Sequence, residues 1–410
     1  MRILHTADLH LGKALENQDR LQEQQAVLSE IVSIAEEKQC DLVVIAGDVF
    51  DSFIPSAAAE KLFFTFLAAL ADHGRRGVVA IAGNHDQPER LAASAVLATE
   101  AGIFLLGNPN TTYVAQKPSP FPYIVKSGKA LHLHLPCGEE ISIAAMPYLS
   151  EARLNELYLH DLGDENDSAR DYAQRLEALL QEQAAEFSPA VGNITIAHLF
   201  ANGGVSSDSE RPVSGAMQVG GSLGVGLDIF PDCDYVALGH LHRPQIIQAK
   251  EGRPYVVYAG SPLAYSFSEA DQTKRVMLCD IEVTSAGKQV SVYSVDLQAG
   301  LKLHTEIAEN YLQALDWCRK PENQQCWLDL RIRLEQPLST EEIDALRSAH
   351  PRLVTITPLY RKIEQPSLAK EKESLSIAQQ FMAFATEREG VDCDEALLKA
   401  FLELLETEDE

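Results

Sequence analysis

No two cysteines of this chain are spaced C-x-x-C, and their number, seven, is odd. Neither a disulfide framework nor a cysteine-built zinc site is expected, and the thiols read as small buried or half-buried residues. Basic residues are scarce: 34 Lys and Arg stand against 60 Asp and Glu, a formal net charge of −26. That balance argues against a stand-alone nucleic-acid binder, because phosphate contacts need Lys and Arg. Clustered carboxylates that bind divalent metals would change the local sign, and a basic partner could carry the missing affinity. Long hydrophobic runs are also absent. The longest, 62-LFFTFLAALA-71, is too short for a bilayer and reads as a buried helix. The opening MRILHTADLH places acidic and histidine residues where a signal peptide has its apolar region. A cytoplasmic protein with no membrane contact is expected. No solenoid repeat and no low-complexity segment interrupts the sequence.

What is present is one local design, used five times. A short run rich in Val and Ile ends at a polar residue in a sharp or Gly-rich turn: 2-RILHTADLH-10, 41-DLVVIAGD-48, 78-VVAIAGNHD-86, 193-NITIAH-198 and 235-YVALGHLH-242. Runs this short fit buried strands. Residues 20–38 and 57–71 show apolar spacings of three and four, the mark of helices. The alternation predicts an α/β sheet protein, whose sites form at the carboxyl ends of strands.

With 410 residues the chain exceeds one ordinary core, so two or three domains are expected. After about residue 270 the strands become plain, as in 276-VMLCDIEV-283 and 289-QVSVYSVDL-297. Residues 301–360 read as a small βαβαβ unit, its second helix opened by a capping box of Ser339 and Glu342. Two amphipathic patterns, 374–389 and 394–406, close the chain around Gly390. The expected division is 1–298, 299–362 and 363–410, the last a helical partner-binding or packed appendage.

The five strand ends together supply Asp8, His10, Asp48, Asn84, His85, His198, His240 and His242. Carboxylates anchor hard cations and imidazoles suit first-row transition metals. Seven such side chains with one shared carboxylate would fill two adjacent sites. Two metals about 3.5–4 Å apart can clamp a phosphate and activate water for in-line attack. The D-x-H and H-x-H spacings are expected to act through alternation, since residues i and i+2 of an extended segment face one way. His5, His73, His132, His134, His160, His304 and His350 have no such context and read as ordinary.

D-x-H, G-D-x-x-D, G-N-H-D, a strand-end His and G-H-x-H, in this order, resemble the calcineurin-like metallophosphoesterases. The stretches 45-IAGDVFDSFIPS-56, 81-IAGNHDQPERL-91, 146-MPYLSEARL-154, 197-AHLFANGG-204, 210-ERPVSG-215, 235-YVALGHLHRPQ-245 and 259-AGSPLAYSFSEA-270 are similar to a bacterial branch of double-strand-break repair nucleases. The resemblance covers nearly the whole chain. It implies a sandwich of two mixed β-sheets flanked by helices, with a small α/β cap. It implies one metal held by Asp8, His10, Asp48 and His242, and a second held by Asp48, Asn84, His198 and His240, with manganese expected and magnesium a substitute. His85 would face the scissile phosphate instead of binding metal. Asp51 would either orient His85 or cap the turn before Pro55. The implied chemistry is DNA phosphodiester hydrolysis in repair and recombination: single-strand endonuclease and ATP-dependent duplex exonuclease action. This chain has no G-x-x-x-x-G-K-[ST] loop, so ATP use belongs to a separate ATPase subunit with a long coiled coil. A homodimer within a heterotetramer is implied too. Lys13, Arg20, Arg90, Arg211 and Arg243 either touch phosphate or form ordinary ion pairs. The alternative activity is that of a phosphomonoesterase or small-molecule phosphodiesterase of the same superfamily.

Overall fold

The computed structural model of the chain describes residues 1–161, 172–207, 218–219, 222–249, 254–285 and 287–360. It opens with β1 (Arg2–Thr6), α1 (Leu21–Glu37), β2 (Leu42–Ala46), α2 (Ala57–Ala71), β3 (Gly77–Ile81), α3 (Pro88–Ala92), α4 (Ala95–Thr99) and β4 (Ile103–Leu106). There follow β5 (Tyr123–Lys126), β6 (Leu131–His134), β7 (Glu140–Met146), α5 (Glu151–Asp161), α6 (Tyr172–Ala184) and β8 (Gly192–His198). A short ribbon of β9 (Gln218–Val219) and β10 (Ser222–Leu223) leads to β11 (Tyr235–Gly239), β12 (Gln245–Gln248) and β13 (Tyr255–Tyr258). Two long strands, β14 (Arg275–Thr284) and β15 (Gly287–Asp296), precede β16 (Lys302–Ala308), α7 (Tyr311–Arg319), β17 (Cys326–Leu334), α8 (Thr340–Ala349) and β18 (Leu353–Tyr360).

Two mixed sheets face each other. One runs β15-β14-β1-β2-β3-β4, parallel from β1 to β4, with β14 and β15 joined antiparallel. The other runs β12-β13-β11-β8-β7-β6-β5, its middle four strands parallel. Every residue of β2, β3, β8 and β11 is buried, as expected of parallel strands covered on both faces. Ile3, Val44 and Ile81 of the first sheet pack on Ile143, Ile196 and Ala237 of the second. On the outer faces, α1 buries Val27, Leu28, Ile31, Ile34 and Ala35 at helical spacing, and α2 starts at a Ser56 side chain that accepts from Ala59 N–H. α6 covers the other sheet through Leu176, Leu179 and Leu180.

The five predicted strands are β1, β2, β3, β8 and β11, and they are divided three and two between the sheets. The β2 and β8 ends meet: His198 Nδ1 lies 2.8 Å from the Ala46 carbonyl. β4 to β7, β12, β13, α5 and α6 are not among the predicted elements.

The predicted βαβαβ order is present as a three-stranded parallel sheet, β16-β17-β18, with the Ser339–Glu342 capping box formed on α8. Leu328, Leu330, Ile332, Ala314, Cys318 and Leu346 form its own core. Glu23 of α1 ties this unit to the larger body by accepting from Leu301 N–H and Trp327 Nε1. The tail patterns 374–389 and 394–406, the stretch 210–215 and Arg211 lie outside the described residues. No helix among the described residues is long and apolar enough to cross a membrane.

Candidate metal centre

Asp48 follows β2 and is 2 % exposed. Its Oδ1 accepts from His85 N–H at 2.9 Å, while Oδ2 lies 3.5 Å from His198 Nε2 and 3.6 Å from His10 Nε2. Two groups of donor atoms converge within 4.8 Å, His10–Asp48–His85 and Asp8–Asp48–His198, and Asp48 is common to both. Asn84 Oδ1 is 2.9 Å from both His198 Nε2 and His240 Nδ1. His242 Nε2 is 3.0 Å from His10 Nε2. The neighbouring histidines His240 and His242 thus reach different companions.

Alternation along an extended strand does not bring these side chains together, contrary to the expectation for D-x-H and H-x-H. Asp8, His10, Asp48 and His240 have φ of 53°, 43°, 48° and 104°. Each lies beyond the end of its strand in the left-handed region, which non-glycine residues seldom adopt. Such backbone is held in place by its surroundings and concentrates at functional sites. The Asp8 carboxylate contributes by accepting from His240 N–H at 2.8 Å. Glycines make room for the ligand atoms. A Cβ on Gly83 would stand 2.1 Å from Asp48 Oδ1, and one on Gly239 would stand 1.9 Å from the Ala46 carbonyl. Gly47, at φ +91°, would clash with His198 Nδ1 at 2.2 Å.

Buried charge shapes the protonation states of the metal-free chain. Burial pushes the Asp8 carboxyl up. Burial opposes ionisation of Asp48 too, but His198, His10 and His85 around it hold it well below the usual range. For His198 burial favours the neutral ring, and the adjoining Asp48 overrides it, pushing the pKa up to about 9. His10 is driven well below its ordinary value by burial.

A cation fits these donors. Asp8 Oδ2 is buried without a hydrogen-bond partner, an expensive condition that ligation or solvent must relieve. His198 Nδ1 can donate to the Ala46 carbonyl, which leaves Nε2 as the ligating atom. The site is oxygen and imidazole only, which excludes a thiolate zinc centre.

His85 meets Asp51, but through the main chain. Its Nδ1 lies 3.0 Å from the Asp51 carbonyl oxygen. The Asp51 carboxylate instead pairs with Lys13 at 2.7 Å and approaches His10 Nδ1 at 3.6 Å. Of the two readings of Asp51, orienting His85 or capping the turn, the contact with His85 is made by the turn's carbonyl, while the Lys13 ammonium takes the carboxylate. Among the other basic residues, Arg20 is buried against Glu23 and the Ala264 carbonyl, Arg90 pairs with Glu60, and Arg243 is exposed.

Three residues outside the predicted set shape the site. Asp86 accepts from the Gly83, Val49 and Phe50 N–H groups, pinning the β3 turn to the β2 turn. Tyr148 stacks on His240 with ring centroids 6.4 Å apart. Glu269 stands 3.3 Å from His242 Nδ1. Asp86 lies inside the G-N-H-D motif, so its position was a signal. Tyr148 and Glu269 lie in the stretches 146–154 and 259–270 that carry the family resemblance, but neither stands at the end of one of the five predicted strands, which would mark it as part of the site.

A family described as calcineurin-like phosphoesterase matches residues 1–244. The SbcD component of the SbcCD nuclease of Bacillus subtilis strain 168 is 40% identical over 408 residues, covering 98% of this chain and 97% of that protein. The chain belongs to the SbcD branch of the calcineurin-like phosphoesterases. The SbcD protein of Rhodobacter capsulatus is 32% identical over 392 residues, 91% of each chain. A solved dimetal phosphatase from Danio rerio aligns with a TM-score of 0.38 and 14% identity, covering 73% of this chain and 99% of that one. By its family and its SbcD relatives the chain is an enzyme of phosphoester hydrolysis, in a family that uses two divalent metals.

Proposed function

We propose that this chain is the nuclease subunit of a two-protein DNA repair and recombination complex, cleaving DNA phosphodiesters at the centre around Asp48. The convergence of donors from both sheets on one shared carboxylate supports the phosphoester chemistry, and the likeness to SbcD proteins over 98% of the chain carries the choice of DNA as substrate. Asp8, His10, Asp48 and His242 would hold one cation, and Asp48, Asn84, His198 and His240 would hold the other. Manganese suits a mixed imidazole and carboxylate set, with magnesium a substitute. Bound cations of this kind neutralise phosphate charge and make water more acidic.

The residues of the chain do the rest. Asp48 and Asp8 supply the negative charge that lets an acidic protein gather cations where a phosphodiester must sit. Asn84 adds an uncharged oxygen. His85 keeps one ring nitrogen engaged by the Asp51 carbonyl and offers the other to the leaving oxygen as a proton source. The strained turns hold these groups ready before substrate arrives.

The domains proposed are a nuclease unit over 1–298, a cap over 299–362 and a partner-binding region over 363–410. The partner is an SbcC-type subunit, as the names of the relatives suggest, and the family resemblance implies that it is an ATPase with a coiled coil. It would add ATP-dependent duplex exonuclease action to single-strand endonuclease action, in a cytoplasmic heterotetramer built on a homodimer of this chain. An external DNA-binding surface suits the charge of −26.

The test is an assay with manganese on single-stranded DNA, on linear duplex with and without the ATPase and ATP, and on p-nitrophenyl phosphate esters. DNA cleavage that His85→Gln abolishes is the expected result. Robust ester hydrolysis with inert DNA would replace this reading by a phosphomonoesterase or small-molecule phosphodiesterase.

A further inference from the structure

Glu269 and Lys274 form a buried ion pair beside the metal centre, and no ligand role accounts for either. Glu269 is 0 % exposed and ends the short 3-10 turn Phe267–Glu269. Its Oε2 accepts from Lys274 Nζ at 2.5 Å, while its Oε1 is 3.3 Å from His242 Nδ1. Lys274 also donates to the His242 carbonyl and to Ser261 Oγ, each at 3.0 Å. One ion pair therefore holds both the ring and the main chain of His242. Glu269 is thus a carboxylate that faces an ammonium with one oxygen and the imidazole with the other.

An ionised carboxylate can only accept, so a hydrogen bond here puts the imidazole proton on Nδ1. The Nε2 of His242 then carries the lone pair, and it points at His10 Nε2, 3.0 Å away. The turn that presents Glu269 is itself fixed. Arg20 donates to the Ala264 carbonyl at 2.8 Å, and Tyr265 donates to the Leu9 carbonyl at 2.5 Å. Ala264, Phe267 and Ala270 pack on Leu15, Leu303 and Trp327. A carboxylate on so rigid a support can select one imidazole tautomer.

We propose that Glu269 is a positioning residue for His242, fixing the tautomer and ring orientation that present Nε2 to a cation. The proposal rests on the reading of His242 as a cation ligand. Partners of this kind typically contribute about 10–100-fold in metal affinity. The role is distinct from that of a counter-ion for Lys274, which needs no contact with His242.

The experiment is a manganese titration of the metal-stripped full chain, following free ion by electron paramagnetic resonance. Glu269→Leu combined with Lys274→Met removes the pair without leaving a buried charge alone. The expected result is one manganese bound about 10–100-fold more weakly and the other unchanged. Wild-type affinity at both sites, or an equal loss at both, overturns the proposal. If the double variant does not fold, Glu269→Gln is titrated in its place, with weakening expected at the same single site and unchanged binding again contradicting the role. His242→Ala separates the two levels of the argument. Loss of one manganese in His242→Ala with none in the Glu269 variants sinks the positioning role alone. Retention of both in His242→Ala sinks the ligand reading and the positioning role with it.

Discussion

Histidine is set against acids both on the β6–β7 pair and around Asp48, and the two places differ in almost every other respect. On the β6–β7 pair, His132 stands directly opposite Ser142. Its Nδ1 is 2.8 Å from Ser142 Oγ and its Nε2 is 3.0 Å from Glu186. Glu186 also accepts from the Lys129 and Ala130 N–H groups. Serine, histidine and glutamate in line have the look of a hydrolase triad. Yet Ser142 is 2 % exposed, and both ring nitrogens of His132 are engaged. The string closes on itself and fastens the chain after α6 to the sheet. At the centre around Asp48, by contrast, the turns are left-handed, glycines are cut away, and Asp8 Oδ2 is buried without a hydrogen-bond partner. Residue types do not make a site. Donor atoms that converge from several strand ends on one shared carboxylate do.

The largest effect that would break this contrast concerns Asp48. Asp48→Asn should lower DNA cleavage about 10³-fold or more, the scale of roughly 4 kcal/mol of transition-state stabilisation. Glu186→Gln should leave the cleavage rate within about twofold, well under 1 kcal/mol on the same scale. Single-turnover kinetics on single-stranded DNA compares them, and equal losses would erase the distinction. Next come the cut-away glycines. Gly83→Ala should displace Asp48 Oδ1 and destabilise the chain by about 1–3 kcal/mol while abolishing cation binding. Gly138→Ala, whose Cβ would meet nothing within 4 Å, strains only its backbone, at φ +90°. Thermal unfolding with and without manganese tests the pair, and the manganese stabilisation should vanish in Gly83→Ala alone.

The pH dependence is smaller but has a definite sign. A cation needs His198 neutral at Nε2, and the metal-free chain keeps that ring protonated up to about pH 9. Asp8, raised by burial, must also lose its proton. Cation binding should release protons, and affinity should weaken as pH falls below about 9, by up to about tenfold per unit for each proton displaced. Calorimetry in buffers of different ionisation enthalpy counts the protons; none released would contradict the assigned states. Smaller again, Ser142→Ala leaves His132 Nδ1 unsatisfied and should cost about 1–3 kcal/mol of stability, read from denaturant unfolding, with cleavage intact. The smallest expected effect belongs to Asp51→Asn. It keeps the carbonyl that engages His85, so the pH profile of cleavage should hold its shape, and a profile that collapses would restore the carboxylate pair.

Much of this was legible in the sequence because strand ends announce themselves. Runs such as LVVIA before Gly-Asp and YVALG before His-Leu-His change character abruptly, and α2 spans the same residues as its apolar pattern. The eight strand-end residues arrive in one place. Their manner of arrival was not legible. The D-x-H geometry depends on left-handed turns that no alternation rule encodes, and the Asp51–His85 contact runs through a carbonyl that every residue possesses. Glu269 and the β5–β7 strands were missed for another reason. Their meaning comes from partners far along the chain, as with Glu269 and His242, 27 residues apart.

Everything proposed for this centre depends on one carboxylate serving two cations while the other ligands serve one each. Native mass spectrometry of manganese-loaded chains counts the ions. Two ions are expected in the wild type, one in His242→Ala, one in His240→Ala and none in Asp48→Asn. Two ions retained in Asp48→Asn would contradict the shared carboxylate.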